Sequence, residues 1–424
     1  MKILVISNLY PPDFLGGYEL GCRQAVDALR SAGHEVVVLT SVPRNGPVAT
    51  APGVVRRLRL IDVYDSYVEW KSGPAAKAVR SQEACGVHAY NVHSLLDVVE
   101  EFRPDVAYVW NVIALGGLGL LAALQHVGVP WVMHLMDRVP AVLCAGNLHG
   151  GTIVPLAAAF RRYCRGRFIC CSNTTLQEIA AAGVDIADRT RIVPNWVMSA
   201  PPPRTEYRTD GVLRILTAGS LAAFKGIGIL IEAAAILRDR GRSDFAVDIY
   251  GFGEDYEFRS AIQKLGLHDF VSLRGPRTQS ELDRLYRNYD LFAFPTWARE
   301  PFGFAPLEAL AHGCIPVASH RCGFSEWFVD GVDCLKADRS PEAFAGAFER
   351  VLDGSVPLAE IGARGAKVVR RDFHISAVLP KIEAELRAAV REGGGPARSP
   401  DEAYRIALLA EKSLACLIHE TTAA

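Results

Sequence analysis

Two carboxylates, Glu300 and Glu308, lie eight residues apart just after an apolar run. That run stops at Pro295, as a buried strand would, because proline cannot extend a central ladder. Further on, Pro306 suits the first turn of a helix, where its missing N–H costs nothing, and Gly313 suits the far end. The pattern therefore predicts Glu300 on a loop and Glu308 in the first turn of a helix.

A strand, loop and helix in this order direct unpaired backbone N–H groups and the positive end of a helix dipole at the crevice beyond the strand. A phosphate would be stabilised there. The side chains of Glu300 and Glu308 are pure hydrogen-bond acceptors when ionised, so they suit the vicinal diols of a sugar and of a ribose. The alternative is that both are ordinary charges, one solvated on a loop and one favoured by the helix dipole.

The run from Glu300 to Val317 reads E-P-F-G-F-A-P-L-E-A-L-A-H-G-C-I-P-V. It resembles the E-x7-E element of the family-4 retaining glycosyltransferases, which have the α/β fold called GT-B, two facing Rossmann-like domains with parallel sheets and a cleft between them. The resemblance implies that Glu300 positions the hydroxyls of a donor sugar and that Glu308 binds the ribose. It also places three intervening residues at the donor, namely Phe302, Gly303 and Phe304.

The elements that must position these residues begin at the N-terminus. An apolar strand over 2–7, a loop, a helix from Tyr18 and a second strand over 34–40 form the opening of a doubly wound α/β domain. Gly16 and Gly17 end the loop and would let a backbone approach a ligand closely, unless the loop is simply a surface loop. In the family, a glycine pair at this place lies against the donor.

His134 stands at the carboxyl end of a third strand-like run, a position that opens onto the ligand crevice of such a domain. A lone histidine there is either a structural residue or part of a site. Family-4 enzymes place a histidine at this strand end, where it meets the donor sugar. The resemblance therefore adds His134 to the catalytic set, together with Glu300 and Lys225.

Lys225 precedes a second helix, after the strand over 213–218 and a glycine-containing loop. A lysine at a helix N-terminus opposes the dipole, so it calls for an anionic partner such as a diphosphate, unless water solvates it. In the family this loop carries an arginine and a lysine that grip the donor diphosphate. Lys225 matches the lysine, but Ser220 occupies the place of the arginine. Arg299 or Arg274 would then supply the second charge.

The length of 424 residues and the 50% hydrophobic content favour two domains with separate cores. The proline-rich run from Ala200 to Arg204 is the clearest linker, stiff and unable to form a ladder. We predict an N-terminal acceptor-binding Rossmann-like domain over 1–199 and a C-terminal nucleotide-sugar-binding one over 205–375. A helix over 376–392 would cross back to the first domain, and 393–424 would hold a flexible break and an appended helix.

Composition narrows the class of partner. The formal net charge of −1 gives no general attraction to nucleic acid, and no apolar run reaches the roughly 18 residues that a membrane span needs. Ten cysteines without close CxxC pairs indicate reduced thiols in a cytoplasmic protein. Four arginines before the strand at Phe168 could form a basic face for an anionic or membrane-borne acceptor, with weak peripheral membrane association, or a solvated helix end: Arg161, Arg162, Arg165 and Arg167.

The resemblance implies a hexosyltransferase that moves a sugar from a nucleoside-diphosphate donor to a glycan, lipid-linked or natural-product acceptor, with retention of anomeric configuration. The chain contains no D-x-D motif, which agrees with phosphate neutralisation by Lys225 rather than by a divalent ion, so we expect neither metal nor cofactor. Two alternatives stay open. One is an epimerase or NAD-dependent Rossmann enzyme, and the other is a sugar-nucleotide-binding protein without catalysis, which Ser220 motivates.

Overall fold

The structure is a computed structural model that describes residues 1–43, 46, 51–61, 83–145, 157, 160, 161, 164–208 and 210–393. The predicted appended helix beyond residue 400 and one member of the arginine cluster, Arg162, lie outside the described residues. The described chain divides into two compact units. The N-terminal unit holds Met1–Cys170, Leu176–Val193 and the residues from Leu379 on, and the C-terminal unit holds Cys171–Thr175 and Pro194–Val378.

The N-terminal unit contains, among its described residues, a seven-stranded parallel sheet in the order β3-β2-β1-β4-β5-β6-β7. The inner strands of this sheet read as mostly apolar runs, because helices cover both faces of a parallel sheet. The strands are β1 (Lys2–Ile6), β2 (Glu35–Ser41), β3 (Val54–Leu58), β4 (Val106–Val109), β5 (Trp131–Leu135), β6 (Arg167–Cys170) and β7 (Thr190–Ile192).

The helices of this part of the chain are α1 (Gly17–Ser31), α2 (Ala89–Phe102), α3 (Gly117–His126), α4 (Val139–Ala145) and α5 (Asn173–Ala181). In α1 the buried residues Cys22, Ala25, Val26 and Leu29 recur at helical spacing, so one stripe of the helix faces the core. The segment over 113–127 is rich in Leu, Ala and Gly, a composition that predicts one helix, but α3 is shorter than this segment. Ala114 and Gly116 take positive φ angles of 66° and 74°, which are incompatible with a helix, so α3 begins at Gly117.

The C-terminal unit contains, in its described part, a six-stranded parallel sheet in the order β10-β9-β8-β11-β12-β13. Its strands are β8 (Leu213–Ser220), β9 (Phe245–Phe252), β10 (Val271–Gly275), β11 (Leu291–Phe294), β12 (Ile315–Ser319) and β13 (Leu335–Ala337). The helices that follow are α6 (Ile227–Asp239), α7 (Tyr256–Lys264), α8 (Gln279–Leu285), α9 (Phe304–Ala311), α10 (Pro341–Leu352), α11 (Leu358–Val368) and α12 (Ile375–Glu392).

Each sheet has one place where the strand order reverses direction. In the N-terminal sheet β1 lies between β2 and β4, and in the C-terminal sheet β8 lies between β9 and β11. Ligands of open α/β sheets bind beyond the carboxyl ends of the strands at such a switch point. The loop that ends in Gly16 and Gly17 follows β1, and the loop of Lys225 follows β8. Both predicted ligand loops therefore start at a switch point of their own sheet.

Helix α12 contributes its first residues, up to Val378, to the C-terminal unit and its later residues to the N-terminal unit. Within the N-terminal unit, Arg167 donates to Glu385 from both Nε and Nη2, at 2.8 and 2.7 Å, and its Nη1 pairs with Glu392 at 2.5 Å. Arg167, one of the four arginines of the predicted basic face, is therefore neutralised by carboxylates. The predicted domain limits, including the boundary at the proline-rich linker, stay predictions.

No helix in the described ranges is long and apolar enough to cross a membrane. The nine cysteines within those ranges are all buried and none forms a disulfide.

Candidate functional site

Lys225 and Glu300 are bonded to each other in the C-terminal unit. The Lys225 Nζ atom lies 2.5 Å from Glu300 Oε2, and the Thr296 hydroxyl donates to the same oxygen at 3.0 Å. Lys225 ends a short 3-10 turn after β8, whereas Glu300 lies on the loop after the neighbouring strand β11. The Glu300 side chain is 8% exposed and that of Lys225 is 26% exposed, so the pair is partly accessible.

The loops that carry this pair are joined by main-chain and ring contacts. The Trp297 N–H donates to the Phe224 carbonyl at 3.0 Å, and the two rings stack with centroids 4.6 Å apart. Gly226 has a left-handed φ of 78°, and a Cβ there would overlap the Pro295 carbonyl oxygen. Glycine is therefore required at position 226 by both its conformation and the close approach of the second loop.

The main chain around Glu300 is also held from its other side. The Gly323 N–H donates to the Glu300 carbonyl at 2.9 Å, and the Ser172 hydroxyl donates to the Pro301 carbonyl at 2.5 Å. A Cβ at position 323 would overlap that Pro301 carbonyl, so the approach is as close as a glycine permits. Glu300 thus has a fixed backbone on a loop, as its sequence context predicts.

Glu308 lies in the second turn of α9, one turn later than the sequence pattern predicts, because the helix begins at Phe304. The residue keeps part of its surface exposed, but its carboxyl group lies deep among protein atoms. Its pKa is raised to about 7, chiefly by desolvation, with the nearby Asp283 carboxylate also raising it and hydrogen bonds from Gln279 and Tyr286 partly offsetting the shift. Its protonation state therefore changes close to neutral pH.

The three residues between the carboxylates that the resemblance places at the donor differ in the groups that they could present to it. Phe302 is 1% exposed and packs against Phe324 and Phe373, so only its backbone could contact a donor. Gly303 precedes α9 with a positive φ of 94°. Phe304 is half-buried and meets the ring of Trp196 edge to face at 6.0 Å.

Of the residues predicted at the diphosphate, Ser220 is half-buried and ends β8. The Arg274 Nε donates to Asp248 Oδ1 at 2.7 Å, and this hydrogen bond raises the pKa of Arg274. The Arg299 guanidinium lies 5.3 Å from the centre of the Trp297 ring, the ring that stacks on Phe224. Arg299 therefore adjoins the loop of Lys225, whereas Arg274 is paired with a carboxylate.

In the N-terminal unit, Gly16 has an extended backbone with φ of −175°, and a Cβ added there would meet no atom within 4 Å. The amides of Leu15 and Gly16 donate to Glu19 Oε2 at 3.2 and 3.0 Å. Gly17 is exposed and starts α1. Neither backbone strain nor packing therefore requires glycine at position 16. The space beside the Gly16 main chain is open.

His134 is fully buried, not open to a crevice as its place at a strand end predicts. Its Nδ1 lies 2.5 Å from the Tyr108 hydroxyl, and its ring stacks on Trp110 at 4.5 Å. The Tyr18 hydroxyl donates to the His134 carbonyl at 2.7 Å and so connects the helix after the glycine pair to β5. Burial lowers the pKa of His134 to about 3, so the ring is neutral at physiological pH.

Sequence reasoning found Lys225 and Glu300 separately but missed that they bond to each other. It also missed Thr296, although a threonine four residues before Glu300 was a usable signal. Tyr18, Tyr108 and Trp110 around His134 carried no pattern that separates them from core aromatics. Within the described residues, no group of three or more His, Cys, Asp and Glu side chains is arranged to hold a metal ion.

Two α/β units with parallel sheets, each with a predicted ligand loop at its switch point, match the GT-B class of glycosyltransferases. Residues 16–196 match the family model for a glycosyl transferase 4-like domain. Residues 206–368 match the model for glycosyl transferases group 1. The chain belongs to the family-4 glycosyltransferases, enzymes that use nucleotide-sugar donors. The hypotheses of an epimerase and of an NAD-dependent enzyme are therefore set aside.

Among its relatives, the D-inositol 3-phosphate glycosyltransferase of Pseudarthrobacter chlorophenolicus is 28% identical over 377 residues, 83% of this chain and 85% of the relative. The glycogen synthase of Mycobacterium tuberculosis is 28% identical over 385 residues, 87% and 89% of the two chains. Two solved structures share the fold. Anabaena HepE in complex with UDP has a TM-score of 0.66 at 18% identity, covering 92% of this chain and 100% of that one. Sucrose-phosphate synthase from Thermosynechococcus elongatus has a TM-score of 0.69 at 17% identity, with 92% and 99% covered.

Proposed function

We propose that this glycosyltransferase transfers a hexosyl group to an acceptor hydroxyl with retention of anomeric configuration and without a metal ion. The observation that supports the proposal is the Lys225–Glu300 ion pair, because its cation would suit a diphosphate and its carboxylate would suit a sugar hydroxyl. The E-x7-E spacing of Glu300 and Glu308 supports retention, which is a property of the family that this spacing resembles.

Glu300 has a preferred oxygen for the sugar. Both hydrogen bonds that its carboxylate accepts from described side chains, those from Lys225 and Thr296, fall on Oε2. Oε1 is then the oxygen that would accept from a hydroxyl of the donor sugar. A carboxylate fixed in this way would orient the sugar without becoming a covalent nucleophile.

Lys225 would gain the donor diphosphate as a second partner beside Glu300. Negative charge develops on the leaving diphosphate as the bond to the anomeric carbon breaks, and a preorganised ammonium group stabilises that charge in the transition state. The backbone amides at the start of α9, at Gly303 and Phe304, would add to this stabilisation through the helix dipole. The acceptor oxygen would form its bond on the same face from which the diphosphate leaves, and a diphosphate oxygen would take the acceptor proton.

The donor that we test first is UDP-glucose, because HepE, a structural neighbour, is seen in complex with UDP and with UDP-glucose. A thermal-shift screen with UDP-, GDP-, ADP- and dTDP-sugars identifies the nucleotide, since a ligand that binds the folded state stabilises it by mass action. The acceptor is a glycan, a lipid-linked sugar or a natural product bound by the N-terminal unit. The nine described cysteines are buried and form no disulfide, which supports a cytoplasmic location. Arg161 and Arg165 are the described residues that could support peripheral membrane association.

The experiment that tests the proposal compares wild type, Glu300→Gln and the control Glu360→Gln, whose carboxylate lies on the surface and pairs with Arg364. Transfer to an acceptor panel is followed with the identified donor, and NMR of the product gives its anomeric configuration. We expect Glu300→Gln to lower transfer by about 100-fold or more, the control to match wild type, and EDTA to change neither. Full transfer by Glu300→Gln would refute the assigned role, and inversion would refute retention.

A non-catalytic sugar-nucleotide-binding protein is the remaining alternative, because Ser220 stands where the family has an arginine. It predicts donor binding in the thermal-shift screen with no glycosylated product from any acceptor. Product formation by the wild-type protein disposes of it.

A further inference from the structure

Arg339 lies outside the elements that carry Lys225 and Glu300, yet its guanidinium contacts both of their loops. Its Nε donates to the Pro295 carbonyl at 3.1 Å. Its Nη2 donates to the carbonyls of Phe224 at 3.3 Å and Ala223 at 3.5 Å. Pro295 directly precedes Thr296 on the loop of Glu300, and Ala223 and Phe224 form the turn that ends in Lys225.

The segment that carries Arg339 is itself anchored at both ends. Strand β13 ends at Ala337, whose carbonyl accepts from the His320 amide at 3.1 Å. Ser340 caps α10 by accepting from the Ala343 amide at 3.2 Å. Arg339 therefore projects from a short, fixed link between a sheet strand and a helix, and the guanidinium has a defined place from which to hold other groups.

The partners of Arg339 are carbonyl oxygens, and no carboxylate in the described part of the chain pairs with it. A guanidinium has five N–H donors in a planar fork, so it can bridge acceptors on two different loops where an ammonium group cannot do so in the same plane. Because its charge is not neutralised by a carboxylate, it also adds to the positive potential around the turn of Lys225.

We propose that Arg339 is a positioning residue, which holds the turn of Lys225 and the loop of Glu300 in the register that brings Nζ against Oε2. It acts through those loops and not by contact with the substrate. The consequence for catalysis rests on the function proposed above, since a displacement of about 1 Å in a catalytic group can cost on the order of 100-fold in rate.

The first test is independent of activity. Hydrogen–deuterium exchange is measured for peptides that cover 220–230 and 294–303 in wild type, in Arg339→Met and in the control Arg364→Met, an exposed arginine that pairs with Glu360 on α11. We expect faster exchange in both peptides for Arg339→Met and no change for the control. Unchanged exchange in either peptide would overturn the bridge, whether or not the protein proves to be a transferase.

The second test uses the donor and acceptor found for the wild type. We expect Arg339→Met to lower kcat by about 10-fold or more with a smaller change in donor KM, and Arg339→Lys to recover only part of the loss. In a Lys225→Met background the Arg339 substitution should cost less than about twofold, because coupled residues are not additive. Equal losses in the two backgrounds, or full recovery with lysine, would overturn positioning through Lys225. A wild type that transfers no sugar would instead count against the proposed function alone.

Discussion

The Nζ atom of Lys225 lies 2.5 Å from Oε2 of Glu300, although the two residues are 75 positions apart in the chain. The pair combines a cation suited to a diphosphate with a carboxylate suited to a sugar hydroxyl, and each partly neutralises the other in a half-buried setting. A buried or half-buried charge is costly without a partner. Glu300 therefore has a compensating partner in Lys225, and under the proposed function the donor diphosphate would be a second anion for Lys225.

The first prediction concerns Lys225→Met, which keeps most of the length of the side chain and removes its charge. Because a hydrogen bond to a charged group contributes about 1.5–3 kcal/mol, we expect UDP to bind about 10- to 100-fold more weakly if the donor is a UDP-sugar. Isothermal titration calorimetry measures the change. Lys264→Met, at an exposed lysine at the end of α7, is the matched control. Equal affinity of wild type and Lys225→Met would exclude Lys225 from the diphosphate site.

The second prediction concerns Thr296, which is completely buried and donates to Glu300 Oε2. Thr296→Val preserves the shape of the side chain and removes the hydroxyl. Glu300 then keeps only Lys225 as a described side-chain donor to Oε2, so we expect kcat to fall about 10-fold or more, in line with one lost hydrogen bond to a charged group. Steady-state kinetics with saturating donor give kcat, and Thr217→Val in β8 is the buried control. If both variants behave alike, Thr296 does not orient Glu300.

Much of this site was predictable from sequence, because strand ends, glycines and helix starts leave local patterns. Those patterns placed Glu300 on a loop and Lys225 after a strand at a glycine-containing turn. The bond between them was not predictable, since it depends on β8 and β11 being neighbours in the sheet. The burial of His134 and the hydrogen bonds from Arg339 to the two loops also depend on residues that are distant in the sequence, so local spacing does not predict them.

The third prediction is a pH dependence of donor binding through Glu308. Burial raises its pKa to about 7, so the carboxyl group is protonated below that pH and ionised above it. If Glu308 binds the ribose as proposed, the ionised group would accept from both ribose hydroxyls, so affinity for UDP should increase as pH rises from 6 to 8. In Glu308→Gln the affinity should be weaker and nearly independent of pH over this range. A wild-type affinity that falls with rising pH would contradict the assignment to ribose.

Protein stability provides a second readout for Glu308. A carboxyl group whose pKa is higher in the folded than in the unfolded state stabilises the fold at low pH, and that contribution is lost as pH rises through the folded pKa. Wild type should therefore lose stability relative to Glu308→Gln between pH 5 and pH 8. Urea unfolding at the two pH values measures the difference. Glu281→Gln is not a suitable control because Glu281 caps α8, whereas Glu360→Gln on the surface of α11 is.

The last prediction concerns His134, whose pKa is lowered to about 3 by burial against Tyr108 and Trp110. In the unfolded chain a histidine binds a proton below about pH 6.5, so the unfolded state gains protons that the folded state does not. This group should lower the free energy of unfolding by about 2 kcal/mol between pH 7 and pH 5. Urea unfolding of wild type and His134→Asn should show that loss only in wild type, with His268→Asn as an exposed control. Because the ring stays neutral in the fold, its NMR signals should not shift between pH 8 and pH 5. A titration of His134 in that range would refute the burial argument.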